Sequence, residues 1–183
     1  MEEPQKGLKI EENVPLAPLT TLRIGGAARF FVRAETESEV SESFRFVEEH
    51  GFELFVLGGG SNILIADEGF DGLVLQIALK GIAIKDNLVT AQAGEDWDEF
   101  VALCVKKNLA GIECLSGIPG FVGGTPVQNV GAYGQEVSET IVSVRVFDRN
   151  QRKFSNFQTW NVNLPTGQVF STARIRIVLL FYR

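Results

Sequence analysis

The spacing of apolar residues predicts a β-α-β unit in the first third of the chain. Apolar residues recur every three or four positions after Thr36, which forms a capping box with Glu39 and so begins a helix. Gly51 stands where that helix is expected to end. A short apolar run predicts a buried strand over 52–57, and a further strand is expected over 63–65.

The rest of the chain predicts several strands, one helix and a long loop. The segment 70–72 predicts a turn, and a boundary between two lobes, 1–70 and 71–183, is expected there. A helix is expected over 96–108, because its apolar residues share one stripe. Since strands and helices do not alternate regularly, the predicted fold class is α+β. Strands are expected over 73–77, 82–84, 88–93, 142–147 and 174–182.

The first of two glycine-rich loops, residues 57–62, follows a predicted strand directly and reads Leu-Gly-Gly-Gly-Ser-Asn. Successive glycines let several backbone N–H groups converge on an anionic oxygen, and Ser61 and Asn62 add side-chain donors. The spacing matches neither the Gly-x-Gly-x-x-Gly fingerprint nor a P-loop. The alternative is a tight turn between strands, which three glycines would also suit.

The second loop, residues 117–134, holds six glycines and two prolines. A loop of this length is unusual for a plain connection. Gln128 and Asn129 offer the donors and acceptors that a heteroaromatic edge requires, and Tyr133 is a candidate for packing on a ring. The alternative is a glycine-rich crossover between lobes. With Arg23 as a further candidate anion contact, the loops predict a nucleotide cofactor with phosphates and a ring system.

Composition and charge exclude several classes of protein. The 183 residues carry 17 basic and 23 acidic side chains, a net charge of −6, so no nucleic-acid partner is expected. Two cysteines and one histidine are too few for a disulfide framework or a zinc site, and no metal is expected. The acidic N-terminus is no signal peptide, and no apolar run reaches the roughly 18 residues of a membrane span. A cytoplasmic protein without a membrane partner is expected, and the sequence leaves its oligomeric state open.

Some polar residues near the second loop have a plain structural interpretation. Asp96, Asp98 and Glu99 begin the predicted helix, where the helix macrodipole favours acidic side chains. Cys104 is expected to be a buried apolar residue of that helix. Glu113 is a candidate either for capping N–H groups of the loop or for a place near the cofactor.

Four segments of the chain carry a resemblance to a known family. They are 21–26 (Thr-Leu-Arg-Ile-Gly-Gly), 57–64 (Leu-Gly-Gly-Gly-Ser-Asn-Ile-Leu), 111–113 (Gly-Ile-Glu) with 115–120 (Leu-Ser-Gly-Ile-Pro-Gly), and 127–134 (Val-Gln-Asn-Val-Gly-Ala-Tyr-Gly). In the order of these segments, from about residue 13 to about residue 148, the chain resembles the UDP-N-acetylenolpyruvoylglucosamine reductases (UDP-N-acetylmuramate dehydrogenases).

The resemblance implies a flavoprotein of peptidoglycan synthesis, with a two-lobed FAD-binding domain of the vanillyl-alcohol-oxidase type before a substrate domain. NADPH would reduce the FAD, which would then reduce the enolpyruvyl group of a UDP-sugar substrate to give UDP-N-acetylmuramate. The resemblance also implies which residues hold the cofactor. Those at the pyrophosphate would be Gly58, Gly59, Gly60, Ser61 and Asn62. Those lining the flavin would be Gly117, Ile118, Pro119, Gly123, Gly124, Gln128, Asn129, Gly131, Ala132 and Tyr133.

The chain departs from the family pattern in two places. The family's substrate domain, with its proton-donating serine and a late glutamate, would lie beyond Arg183, so a truncated chain is expected and no catalytic residue is assigned. The family's Cys-x-Phe-x-Tyr-Arg-x-Ser-x-Phe stretch is replaced by residues 160–171. Codons for these residues, read two bases later, permit Glu-Cys-x-Phe-x-Tyr-Arg-x-Ser-x-Phe. A local frameshift is therefore expected, with the register doubtful over 156–172.

Two alternatives stay open beside an FAD- and NADPH-dependent oxidoreductase. The first is a non-catalytic flavin-binding remnant or interaction module, which the missing Tyr-Arg motif favours for this chain. The second is an oxidase of the same flavin-binding superfamily. Residues 128–134 favour the reductase branch, and neither glycine-rich loop has a histidine for a covalent flavin link.

Overall fold

The computed structural model describes residues 7–158 and 172–180. They form two large sheets, each packed against an α-helix, and a third sheet of two short strands. Each large sheet with its helix is one lobe. The α-helices are α1 (Glu37–His50), α2 (Trp97–Lys106) and α3 (Thr125–Gln128). The strands are β1 (Glu11–Pro15), β2 (Ala27–Ala34), β3 (Glu53–Leu57), β4 (Phe70–Ile77), β5 (Ile82–Lys85), β6 (Leu88–Gln92), β7 (Gly131–Ala132), β8 (Gln135–Glu136), β9 (Ile141–Asp148), β10 (Lys153–Gln158) and β11 (Thr172–Leu180).

The first lobe is a four-stranded sheet in the order β1-β2-β4-β3. β4 runs parallel to β2 and β3, and β1 runs antiparallel to β2. The predicted capping box begins α1, because Thr36 Oγ1 accepts from the Glu39 N–H at 3.2 Å while Glu39 accepts from the Thr36 N–H at 3.0 Å. Gly51 ends the helix in the left-handed conformation at φ +71°. The predicted β-α-β unit is confirmed as β2, α1 and β3, without the further strand expected over 63–65.

The two faces of the first sheet are covered differently. Val40, Phe44 and Val47 of α1 are buried against Leu73 and Leu75 of β4, as the helical spacing predicted. The opposite face packs against the loops that precede β2 and follow β3. The first glycine-rich loop therefore lies on the face away from the helix.

The second lobe is an antiparallel sheet in the order β10-β9-β11-β6-β5. Asp96 caps α2, and the predicted stripe of Trp97, Phe100, Val101 and Cys104 is buried in the core of this lobe. Burial raises the pKa of the Cys104 thiol to about 12, so this thiol stays protonated. No helix among the described residues is long and apolar enough to cross a membrane.

Two predictions about the first lobe are wrong. Residues 63–65 form no strand and belong to the loop after β3. Residues 70–72 are not a turn but open β4, where a Cβ on Gly72 would overlap the Glu53 carbonyl oxygen. Because β4 completes the first sheet, the division between the sheets falls after Ile77 and not after residue 70.

The predicted strands of the second lobe are confirmed within the described residues, with shifted ends. β11 covers the predicted strand from residue 174 to its last described position, Leu180. Neither β1 nor β10 was predicted. Residues 159–171 lie outside the described part of the chain, so most of the segment 156–172, where a doubtful register is expected, does as well.

Candidate functional site

The two glycine-rich loops face each other where the lobes meet. Ser61 Oγ donates a hydrogen bond to the backbone carbonyl of Pro119 at 3.1 Å. A Cβ built on Gly59 would lie 2.9 Å from the Gly120 Cα, so the two backbones touch where neither residue has a side chain. Segments that are 58 residues apart in the sequence thus form the two walls of one site.

A cleft of about 380 Å³ runs between these loops. Ile118 lines this cleft and also two adjoining hollows of about 420 and 810 Å³ along the second loop. Three hollows that share one wall suit an extended ligand better than a compact one. The predicted cofactor residues that line the first cleft are Gly58, Gly59, Gly60, Ser61, Asn62, Ile118, Pro119, Gly124 and Gln128.

The first loop presents backbone donors to the cleft. In the described part of the chain, no hydrogen bond pairs the backbone N–H groups of residues 59–62. Gly60 is held at φ +68°, with its carbonyl accepting from the Thr21 N–H at 3.0 Å. A Cβ on Gly60 would overlap the Leu19 carbonyl oxygen, so the fold itself requires this glycine. Unpaired N–H groups after a strand form a concavity suited to an anion.

At two other positions of the cleft, the packing of the protein does not require glycine. Gly58 and Gly124 both line the cleft, and a Cβ on either would meet no atom within 4 Å. Gly124 has φ −80° and ψ −26°, which any residue adopts. A side chain at these two positions would occupy open space at the cleft lining, so no contact within the described residues requires glycine there.

The cleft is not lined by cationic side chains. Within the described ranges, neither it nor the two adjoining hollows has a lysine or arginine among its lining residues. Arg23, the candidate anion contact, is exposed and lies outside the lining, with its backbone at φ +54°. The donors that this lining offers to an anion are therefore backbone N–H groups and hydroxyls.

The remaining predicted cofactor residues lie elsewhere along the second loop. Gly123 packs against Ala93, with its built Cβ 2.5 Å from the Ala93 Cβ. Gly117 lines the 420 Å³ hollow, and Asn129, Gly131 and Ala132 line the 810 Å³ hollow.

Two polar members of this loop make contacts or turns that the sequence did not predict. Asn129 Nδ2 donates to Glu136 at 2.6 Å and Asn129 Oδ1 accepts from the Ser138 N–H at 3.2 Å, so its amide holds the loop together. Tyr133, at φ +53°, forms the turn between β7 and β8 with Gly134 and is 94% exposed. Neither residue lines the 380 Å³ cleft.

Two carboxylates support the chain that leads into the second loop. Glu113 accepts the Gly111 N–H at 2.6 Å, which is the largest cause of its lowered pKa, so Glu113 caps an N–H group before the loop and not one of the loop itself. Asp98 accepts the Gly117 N–H at 2.6 Å and the Ser116 hydroxyl at 2.8 Å. These bonds lower the pKa of Asp98, with the Gly117 N–H as the largest cause. The macrodipole interpretation of Asp98 was therefore incomplete.

Sequence reasoning missed the apolar walls of the cleft. Phe55, Phe121, Val127 and Val130 line it between the two glycine-rich loops. Periodicity did not identify them, because three of the four lie in the irregular second loop. Among the described residues, no group of three acidic, cysteine or histidine side chains is placed to hold a metal ion.

Comparison with known proteins defines the class. A family model described as FAD binding domain matches residues 28–152, so the chain belongs to that family. The structure of p-cresol methylhydroxylase with substrate bound shares the fold, with a TM-score of 0.63 and 13% identity over 93% of this chain and 38% of that chain. The predicted α+β, two-lobed fold of the vanillyl-alcohol-oxidase type is confirmed.

The resemblance carried by the four motifs is confirmed as well. The chain is 55% identical over 139 residues to the UDP-N-acetylenolpyruvoylglucosamine reductase of Saccharopolyspora erythraea, covering 73% of this chain and 38% of that protein. It is 50% identical over 137 residues to the reductase of Streptomyces coelicolor, covering 75% and 36%. The crystal structure of UDP-N-acetylenolpyruvylglucosamine reductase from Thermus caldophilus matches 96% of this chain and 63% of that chain, at a TM-score of 0.81 and 25% identity. The chain thus spans less than half of the curated relatives it matches.

Proposed function

We propose that the cleft between the two glycine-rich loops binds FAD, with the diphosphate against the first loop and the ring system along the second. The backbone N–H groups of residues 59–62, which line the cleft and make no hydrogen bond within the described residues, carry this proposal. They offer donors to an anion where no cationic side chain lines the cleft. The adjoining hollows give an extended dinucleotide room on both sides of Ile118.

The residues present fit this cofactor. Open space at Gly58 and Gly124 lets a phosphate or a flat ring approach the backbone. Gln128 lines both the cleft and the 810 Å³ hollow, where its amide can bond the polar edge of a ring. Phe121 and Val127 supply apolar contact and exclude water from one side. When bound, FAD supplies a ring that accepts a hydride and passes it on.

For the whole reaction, we infer that this chain is the FAD-binding part of a cytoplasmic UDP-N-acetylenolpyruvoylglucosamine reductase. NADPH would be the reductant and the UDP-sugar enolpyruvyl ether the substrate. The identity of about one half to such reductases supports this assignment. No catalytic residue is assigned within the chain, whose contribution is to hold and orient the cofactor.

A second candidate is a flavin-binding protein without reductase activity. One observation favours it: residues 160–171 read Trp-Asn-Val-Asn-Leu-Pro-Thr-Gly-Gln-Val-Phe-Ser and contain no arginine. We infer that this stretch is translated in a shifted frame and that the chain alone binds FAD without reducing the UDP-sugar.

Titration of the purified protein with FAD, riboflavin and ADP tests the proposed site. FAD is expected to bind most tightly, because it alone fills both the phosphate-binding loop and the ring side of the cleft. NADPH addition to the FAD complex then separates the candidates: oxidation of NADPH on adding the UDP-sugar indicates a reductase, and its absence indicates the non-catalytic protein. Equal affinity for FAD and riboflavin would contradict the assignment of the first loop to the diphosphate.

A further inference from the structure

The second glycine-rich loop lies along the segment that precedes and begins α2. Backbone hydrogen bonds join Gly123 N–H to the Ala93 carbonyl at 2.9 Å and Trp97 N–H to the Gly120 carbonyl at 3.0 Å. The indole Nε1 of Trp97 donates to the Leu115 carbonyl at 2.9 Å. Because Trp97 is fully buried in the core, this segment is a rigid template for the first half of the loop.

Asp98 attaches the start of the loop to this template. Its Oδ1 accepts both the Gly117 N–H and the Ser116 hydroxyl, at 2.6 and 2.8 Å. Hydrogen bonds to an ionised carboxylate are among the stronger ones in proteins. They fix Gly117 at φ +77°, immediately before Ile118 and Pro119, which line the cleft.

We propose that Asp98 is a positioning residue for the cofactor, which acts through the backbone of Gly117 to hold Ile118 and Pro119 at the cleft. This inference rests on the proposed FAD site. Pro119 is also the residue whose carbonyl accepts from Ser61, so a displaced Gly117 would loosen the contact between the two loops. The lowered pKa of Asp98 supports a carboxylate that is ionised when the loop is in place.

Glu99 provides a control that distinguishes this positioning role of Asp98 from a general effect of negative charge at the start of α2. Glu99 lies in the same first turn of α2 and is exposed, and its backbone N–H is capped by Asp96 at 3.0 Å. Removing the charge of Glu99 changes the interaction with the macrodipole as removal of Asp98 does. Of these two carboxylates, only Asp98 accepts hydrogen bonds from Ser116 and Gly117.

The test compares the full chain with Asp98→Ala, Asp98→Asn, Ser116→Ala and Glu99→Gln. FAD affinity is measured by flavin fluorescence, and amide hydrogen exchange of Gly117 is measured without FAD. We expect Asp98→Ala to weaken FAD binding about tenfold or more and to speed Gly117 exchange. Asp98→Asn keeps an acceptor oxygen, so it is expected to retain part of the FAD affinity and part of the protection of Gly117. We expect Ser116→Ala to have a smaller effect than Asp98→Ala. Glu99→Gln is expected to change neither the FAD affinity nor the exchange of Gly117.

The results that would overturn the inference can be distinguished from those that would overturn the proposed function. Wild-type affinity in both Asp98 variants, or unchanged exchange at Gly117, would refute the positioning role while the FAD site stands. Absence of FAD binding by the wild-type chain would refute the proposed function and this inference together. If Asp98→Ala does not fold, Asp98→Asn and Ser116→Ala decide the question, and equal loss of affinity in Glu99→Gln would refute the inference.

Discussion

The guanidinium of Arg145 on β9 forms two hydrogen bonds with the carboxylate of Glu37 at the start of α1. The Nε–Oε1 and Nη2–Oε2 distances are 2.7 and 2.8 Å. The guanidinium carbon also lies 5.0 Å from the centroid of the Phe154 ring. Beside this pair, the rings of Phe44 and Phe147 pack across the junction of the lobes, with their centroids 4.7 Å apart and their planes tilted by 35°. The ion pair and the packed rings hold together the lobes that carry the two walls of the cleft.

Arg145→Ala is expected to destabilise the protein through this junction. Both partners are partly shielded, with exposed side-chain fractions of 24% and 36%, so we expect the free energy of unfolding to fall by about 1–2 kcal/mol. Urea denaturation measures this change. The control is Arg45→Ala, whose pair with Glu49 is exposed on both sides and is worth at most about 0.5 kcal/mol. Equal effects of the two substitutions would contradict a role of Arg145 at the junction.

Alanine substitutions at Gly58 and Gly60, both in the first loop, are expected to affect stability differently. Gly60→Ala places a Cβ against the Leu19 carbonyl at a positive φ, and we expect it to destabilise the fold by about 2 kcal/mol or more. Gly58→Ala meets no atom within 4 Å and is expected to leave the melting temperature unchanged. Thermal denaturation followed by circular dichroism compares them. A similar loss in both would mean that the loop has a different conformation.

Local signals in the sequence predicted α1 and α2 well. The capping box of Thr36 and Glu39 and the buried stripe from Trp97 to Cys104 depend on neighbours within a few residues. β1 gave no such signal, because it is a short polar edge strand that exists through its pairing with β2. The segment 70–72 was mistaken for a turn because its glycine is required by the close approach of β3, which only the tertiary structure shows.

The sequence predicted which segments form the candidate site, but not the role of each residue in it. The sequence identified both glycine-rich loops, and the structure joins them through Ser61 and Pro119. It could not show which glycines serve the fold, as Gly60 does, and which no contact within the described residues requires, as at Gly58. It also could not show that Asp98 bonds the loop, since the two segments meet only after folding.

The pH dependence of stability is expected to reflect Asp98. Its pKa is lowered in the folded state, so its stabilising contribution is complete above the ordinary value of 3.8 and is lost as the pH falls through the lower folded value. Urea denaturation of wild type and Asp98→Asn between pH 7 and pH 3 measures the difference. We expect wild type to have the larger free energy of unfolding at neutral pH, and the difference from Asp98→Asn to narrow as the pH falls below 3.8. A difference that widens in acid would contradict a lowered pKa of Asp98.

The coding DNA of residues 160–171 is expected to contain a shifted reading frame. Reading it two bases later should spell Glu-Cys-x-Phe-x-Tyr-Arg-x-Ser-x-Phe, because the codons for the present residues permit this sequence. Sequencing the gene across codons 155–183 tests the expectation. Codons that do not spell the motif in the shifted frame would refute the frameshift.

The central claim is that FAD occupies the cleft between the glycine-rich loops. The most direct measurement is the visible absorption spectrum of the chain after incubation with FAD and gel filtration, made for wild type, Gly58→Ala, Gly124→Ala and Gly7→Ala. Gly7 is the matched control, since a Cβ there also meets no atom within 4 Å and the residue lies outside the cleft. Retained flavin in wild type and Gly7→Ala, with loss in the two cleft variants at unchanged melting temperature, is the predicted result. Equal retention in all four proteins, or none in wild type, would contradict the claim.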